Sequence, residues 1–112
     1  MPEVEVLFSP TFEQDIDELE DDYPGALDEV EKLVASLKRG EKPGDRVQGV
    51  GKPAYKVRLP NRAANRGKSG GFRVIYYVQM ADVIWLVTMY SKTRQADIPP
   101  QIIRSLIDKL VT

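Results

Sequence analysis

The 112-residue chain has no cysteine and no histidine. The first absence removes disulfide staples and thiolate nucleophiles. The two together remove Cys/His zinc sites and every mechanism that carries protons on imidazole. Chemistry is left to Asp, Glu, Lys, Arg, Tyr, Ser and Thr. Long apolar runs are missing as well: none approaches the roughly 18 residues of a membrane span. The opening MPEVEVLF is acidic where a secretory leader is basic. These absences point to a cytoplasmic protein with no membrane partner. With 42% hydrophobic and 29% charged residues, the length suits a single domain, 1–112, with one modest core.

What is present is charge, and it is segregated. The net value of −1 hides twelve acids against one base, Lys32, over residues 1–37, a balance of −11. Residues 38–94 reverse it, with thirteen bases against Glu41, Asp45 and Asp82, a balance of +10. Such a dipolar chain suits a surface that meets a polyanion on one side only.

Periodicity orders the elements. Val4, Val6 and Phe8 alternate with Glu3, Glu5 and Leu7 as a short strand. Ser9-Pro10 reads as a helix start, and Phe12, Ile16, Leu19 and Tyr23 form one apolar stripe. Pro24-Gly25 breaks that helix and opens a second, striped by Leu27, Val30, Leu33, Val34 and Leu37, which makes a helical hairpin. Residues 40–53 hold four glycines and two prolines and read as a loop. Strands follow over 54–59, 72–79 and 83–90, with a basic loop over 60–71 between the first two. Pro99-Pro100 starts a last helix with Ile102, Ile103, Leu106, Ile107 and Leu110 at helical spacing. The expected fold is α+β, in the order β-α-α-β-β-β-α: the helical hairpin and the C-terminal helix pack on a mostly antiparallel four-stranded sheet.

Two motifs fail on inspection. Gly67-Lys68-Ser69 imitates the end of a phosphate-binding P-loop, but Arg62 stands where its first glycine belongs and a strand follows instead of a helix. Asp21-Asp22 suggests a Mg²⁺ pair, yet consecutive helical residues diverge by about 100° and cannot converge on one ion. No metal or other cofactor is therefore expected.

The strands carry a stronger constellation. Lys56 and Arg58, two apart in an extended segment, share a face about 6.5 to 7 Å apart, opposite Tyr55, Val57 and Leu59. If that apolar face covers the core, both cations stand on the open side of the sheet. Arg73 can reach the same side from the next strand, and Tyr90 and Lys92 close the third. The basic loop adds Arg62, Arg66 and Lys68, and Arg94 lies beyond the last strand. This set suits a phosphodiester backbone with an aromatic for an unpaired base; a cationic face that merely protects a sheet edge is the plainer alternative. Phe72, Tyr76 and Trp85 are assigned to the core. Cleavage of RNA without histidine needs a base for the 2′-hydroxyl, positive charge for the phosphorane and a proton for the 5′-oxygen. At about 7 Å and an effective dielectric near 20, one neighbouring cation disfavours an ammonium by roughly 2.4 kcal/mol, which marks Lys56 as a candidate base. Arg58 and Arg73 stay charged and suit stabilisation.

The segments YKVRL (55–59), KSGGFRVIYY (68–77) and WLVTMYSK (85–92), followed by a polar stretch and a terminal helix, resemble the RelE/ParE superfamily of bacterial toxins, and within it the HigB-like branch of RelE toxins. The resemblance covers essentially the whole chain. It implies the toxin of a type II toxin-antitoxin pair, a ribosome-dependent endoribonuclease that cuts mRNA in the ribosomal A site by metal-free attack of the ribose 2′-hydroxyl. It also implies a cognate antitoxin of helix-turn-helix type, with operator DNA met only through that antitoxin. By position, Lys56 and Arg58 match the paired basic residues of RelE enzymes, Arg73 the arginine of G-[FY]-R, and Lys92 the cation after the last strand. The tyrosine that RelE enzymes carry near the start of the last helix is replaced here by Ile98-Pro99-Pro100, with Tyr90 the candidate substitute. The resulting catalytic set is Lys56, Arg58, Arg73, Tyr90 and Lys92, with Arg62, Arg66, Lys68 and Arg94 as RNA contacts. Two other functions fit the pattern: a ParE-like inhibitor of DNA gyrase, and a non-catalytic RNA- or ribosome-binding protein.

Overall fold

In the computed structural model, which describes residues 3–65 and 70–110, the chain runs β1 (Glu5–Phe8), α1 (Pro10–Asp22), α2 (Ala26–Lys38), β2 (Asp45–Arg46), β3 (Ala54–Leu59), β4 (Phe72–Met80), β5 (Val83–Ser91) and α3 (Pro100–Leu110). The α1 start is the one its residues dictate: Pro10 occupies the first helical position and the Ser9 hydroxyl accepts the Phe12 N–H at 3.0 Å. Between the helices Gly25 adopts φ +105°, and the Glu20 carboxylate accepts the amides of Gly25 and Leu27 at 3.1 and 2.8 Å. The hairpin turn is thus closed by an acid, which explains part of the N-terminal negative charge.

The sheet order is β1-β5-β4-β3-β2. It is antiparallel except for β1, which lies parallel to β5. Five strands are present where the sequence predicts four. The fifth, β2, pairs Asp45 with Lys56 and Arg46 with Tyr55. Two residues inside a Gly/Pro-rich loop carry no period to read, and a short charged strand is what a sheet edge tolerates.

Both faces of the sheet carry packed helices, so the cations stand at one uncovered end of a face rather than on a wholly open side: Arg58 is exposed there, Lys56 partly so, and Arg73 is buried. On one side Phe12, Ile16 and Leu19 of α1 and Val30, Leu33 and Leu37 of α2 pack on Val57, Leu59, Phe72, Val74, Tyr76 and Leu86. On the other, Ile103 and Ile107 of α3 pack against Ala54, Ile75, Tyr77, Val87 and Tyr90. Phe72 and Tyr76 are core residues, as assigned. Trp85 is only partly buried, its indole N–H donating to the Gln79 side chain at 2.9 Å. No helix among the described residues is long and apolar enough to cross a membrane.

One irregularity decides where the site lies. The β4–β5 register slips between Ile75↔Thr88 and Tyr76↔Leu86, leaving Val87 as an extra residue on β5. Strict alternation would send Leu86 and Tyr90 to the same face. The bulge reverses the parity, so Leu86 and Met89 enter the helical-hairpin core while Val87 and Tyr90 turn toward α3. The bulged backbone is satisfied from the other end of the chain. The Ser9 hydroxyl donates to the Val87 carbonyl at 2.7 Å, and the Asp15 carboxylate accepts the Thr88 hydroxyl at 2.6 Å and the Met89 N–H at 3.1 Å. Replacing Asp15 by alanine strands these donors and is expected to cost about 1–3 kcal/mol, read as a lowered urea midpoint. An unchanged midpoint would show that the bulge does not depend on this carboxylate.

Candidate active site

Strand register alone brings the central residues together. Arg58 on β3 stands opposite Arg73 on β4, and Arg73 stands opposite Tyr90 on β5. The three form a row across the sheet with neighbouring Cβ atoms about 5 Å apart. Lys56 lies on the same face as Arg58, one pleat away. Lys92 immediately follows β5, and its backbone N–H donates to the Gly71 carbonyl at 2.9 Å, fixing it beside the start of β4. All five catalytic candidates therefore converge on one end of the α3-covered face.

The row is costly as structure. Like charges directly opposite each other destabilise a sheet, and here one of the two, Arg73, is only 4% exposed. One of its guanidinium nitrogens donates to the Phe72 carbonyl at 3.3 Å. Arg58 is exposed and makes no ion pair among the described residues. A sequence that breaks a local rule in this way marks a place shaped by something other than stability.

An acid stands at the centre, and sequence reasoning missed it. The Asp97 carboxylate, from the irregular segment between β5 and α3, lies 3.4 Å from Lys56 Nζ and 3.2 Å from Lys92 Nζ, and it accepts the Tyr90 hydroxyl at 3.0 Å. Burial pushes the Asp97 carboxyl up, but the bonds from Lys92 and Tyr90 and the charge of Lys56 outweigh it and hold the group below the usual carboxylate range. The cations are thus not the unrelieved crowd that the sequence suggests around Lys56. The one available signal was that Asp97 is the single acid between Asp82 and Asp108.

Tyr90 is a hydrogen-bond donor in this setting. Burial, then the bond to Asp97 and its charge, push the phenol up to about 12 from an ordinary 10.0. At 4% exposure the ring offers no free face to stack on a base, so the aromatic role expected of Tyr90 reduces to that of its hydroxyl. Because the folded value is raised, the corresponding stability is complete below pH 10 and is lost as pH climbs toward 12. Urea midpoints are expected to fall over that window. Tyr90→Phe removes part of the fall, and Tyr76, raised by burial, keeps another part. A wild-type profile flat through that range would contradict the assignment.

Two of the proposed RNA contacts, Arg62 and Arg94, lie against the helical hairpin. Arg62 bonds to Glu29 of α2 at 3.0 Å; Lys32 bonds to the same buried carboxylate at 3.2 Å. Arg94 bonds to Asp22 at 2.8 Å and lies 4.7 Å above the Tyr23 ring. Both arginines therefore lean on the helical hairpin and tie loops to it. Arg66 and Lys68, with the first half of the KSGG motif, lie outside the described residues.

No family model matches the chain, and no curated protein does. Among solved structures, the E. coli toxin RelE, as a double arginine-to-alanine variant in the free state, matches with a TM-score of 0.60. It covers 99% of this chain and 100% of that one at 15% identity. The fold is that of RelE. At this identity the likeness to RelE lies in the architecture, so what the site does is argued from its own residues.

Proposed function

We propose that this protein is the toxin of a type II toxin-antitoxin pair, in the HigB-like branch of RelE toxins: a cytoplasmic, ribosome-dependent endoribonuclease that cleaves mRNA in the A site and so stops translation. The observation that carries the reading is the Arg58–Arg73–Tyr90 row, flanked by Lys56 and Lys92. In the proposed reaction the ribose 2′-oxygen attacks the adjacent phosphorus and gives up its proton to a water molecule. The phosphorus–5′-oxygen bond breaks with its electron pair on the 5′-oxygen, which takes a proton back from solvent. The products are a 2′,3′-cyclic phosphate and a 5′-hydroxyl, and the steps require no metal or cofactor. The pentavalent phosphorane gathers negative charge, and preorganised cations aimed at it are the largest available source of acceleration. Arg58 and Arg73 supply that charge. Lys56, the candidate base on sequence grounds, forms an ion pair with the Asp97 carboxylate and so serves here with Lys92 as an ammonium donor to the phosphate oxygens, and the Tyr90 hydroxyl donates a further hydrogen bond.

A cognate antitoxin, of helix-turn-helix type and the only route to operator DNA, belongs to the same reading. A ParE-like gyrase inhibitor on this fold has less use for four cations gathered at one point. A passive RNA binder does not need two arginines opposed on adjacent strands. Induced expression of the wild-type gene is expected to arrest translation and to leave new RNA 5′ ends inside translated codons, which vanish from a purified reaction lacking ribosomes. Growth arrest without such ends would end the nuclease reading.

A further inference from the structure

Asp97 occupies, within the cluster, the position that the nuclease reading gives to a phosphate. Its two oxygens divide the donors: Oδ1 takes Lys92 Nζ at 3.2 Å and the Tyr90 hydroxyl at 3.0 Å, and Oδ2 takes Lys56 Nζ at 3.4 Å. A phosphodiester presents two non-bridging oxygens of similar separation to the same kind of charged donors. We propose that Asp97 is a resident anion that holds this seat together in the absence of RNA and is displaced by the substrate phosphate, making it a positioning residue that also sets which anions the site accepts.

The other carboxylates that bridge elements here do a different job. Asp15 accepts a backbone N–H and a hydroxyl at the bulge, so removing it leaves donors stranded inside the fold, and Glu29, itself buried, pairs only with the exposed side chains of Arg62 and Lys32, away from the cluster. The bonds Asp97 accepts come from the side chains of three catalytic candidates. Its own side chain is 49% exposed, and those of Lys56 and Lys92 are 31% and 35% exposed. Ion pairs so open to water hold weakly and exchange readily. Asp97 also lies in a segment with no regular structure, ahead of Pro99 and Pro100, so moving its carboxylate disturbs no strand or helix. With the carboxylate in place, a small anion must replace a partner already bound. An RNA strand that also engages Arg58 and Arg73 has further contacts to offset that exchange.

The inference rests on the nuclease reading, and binding separates the two. The ligand is a short RNA methylated at every 2′-oxygen, which cannot be cleaved, titrated into the purified full-length chain. Asp97→Asn keeps the shape and an acceptor for Tyr90 while removing the charge. It is expected to bind this RNA roughly tenfold more tightly than wild type at low salt, as for one unit charge removed about 5 Å away in a half-solvated site, and the gain is expected to shrink as salt rises. Asp97→Ser should show the same gain, and Lys56→Ala a loss. If Lys56→Ala weakens binding but neither Asp97 variant tightens it, the carboxylate does not stand in the phosphate's place and the inference fails while the nuclease reading survives. If Lys56→Ala changes nothing, RNA does not bind at this cluster and the inference falls, while the ribosome-dependent reading is judged separately by cleavage on programmed ribosomes.

Discussion

Replacing Arg58 with alanine is expected to lower ribosome-dependent mRNA cleavage by about 10²–10³-fold while leaving the protein at least as stable as before. The activity loss is the size seen when one preorganised donor is taken from a developing oxyanion. The stability expectation comes from the strand register. Arg58 is exposed and opposite Arg73, and relief of a like-charged cross-strand pair gains about 0.2–1 kcal/mol. In a domain of this size that raises the melting temperature by up to roughly 5 °C. Loss of function with no loss of stability separates Arg58 from a residue that only supports the fold. Arg73 would give a less direct answer, because a buried arginine in mid-sheet cannot be truncated without disturbing its surroundings. Initial rates on programmed ribosomes, with calorimetry on the same sample, decide the matter; undiminished cleavage by Arg58→Ala would remove this arginine from the mechanism.

That Arg58 meets Arg73 was legible in the sequence, because period two within each strand and a simple antiparallel order put them on one face. The helical hairpin was equally legible from the stripes of α1 and α2. Tyr90 was not. Read by alternation it belongs with Leu86, and it reaches the cluster only because Val87 is extra on β5, a bulge satisfied by Ser9 and Asp15 from residues more than seventy positions earlier. Asp97 sits where no period exists to place it. Arg62 and Arg94 show a related limit: their sign is visible in the sequence, but the carboxylates they pair with, Glu29 and Asp22, lie 33 and 72 residues away. Local patterning fixes which face a strand residue takes. It cannot show which distant carboxylate has already claimed a cation.

The same limit applies to glycine, and it leads to the largest expected effect on stability. Gly44 has φ +90°, and a Cβ there would overlap the Lys56 carbonyl oxygen and lie 2.9 Å from both the Lys56 carbonyl carbon and Val57 Cα. All three obstacles are backbone, so no side-chain rotation makes room. The turn is held against the sheet on both sides, by the Tyr76 hydroxyl donating to the Pro43 carbonyl at 2.6 Å and by the β2–β3 pairing that starts at Asp45. Gly44→Ala combines a positive-φ penalty of about 1–2 kcal/mol with an overpacking cost of about 1–3 kcal/mol. A total loss of about 2–5 kcal/mol is a large share of the stability of a small domain. Because the displaced backbone is that of Lys56, whatever fraction still folds is expected to cleave RNA poorly even below its lowered melting temperature. Gly40, with φ +89° and open space around its missing Cβ, is the control: its alanine variant bears only the conformational penalty and should retain full specific activity. Equal stability losses at the two positions would show that the turn can move away from β3, and that Gly44 does not hold Lys56 in place.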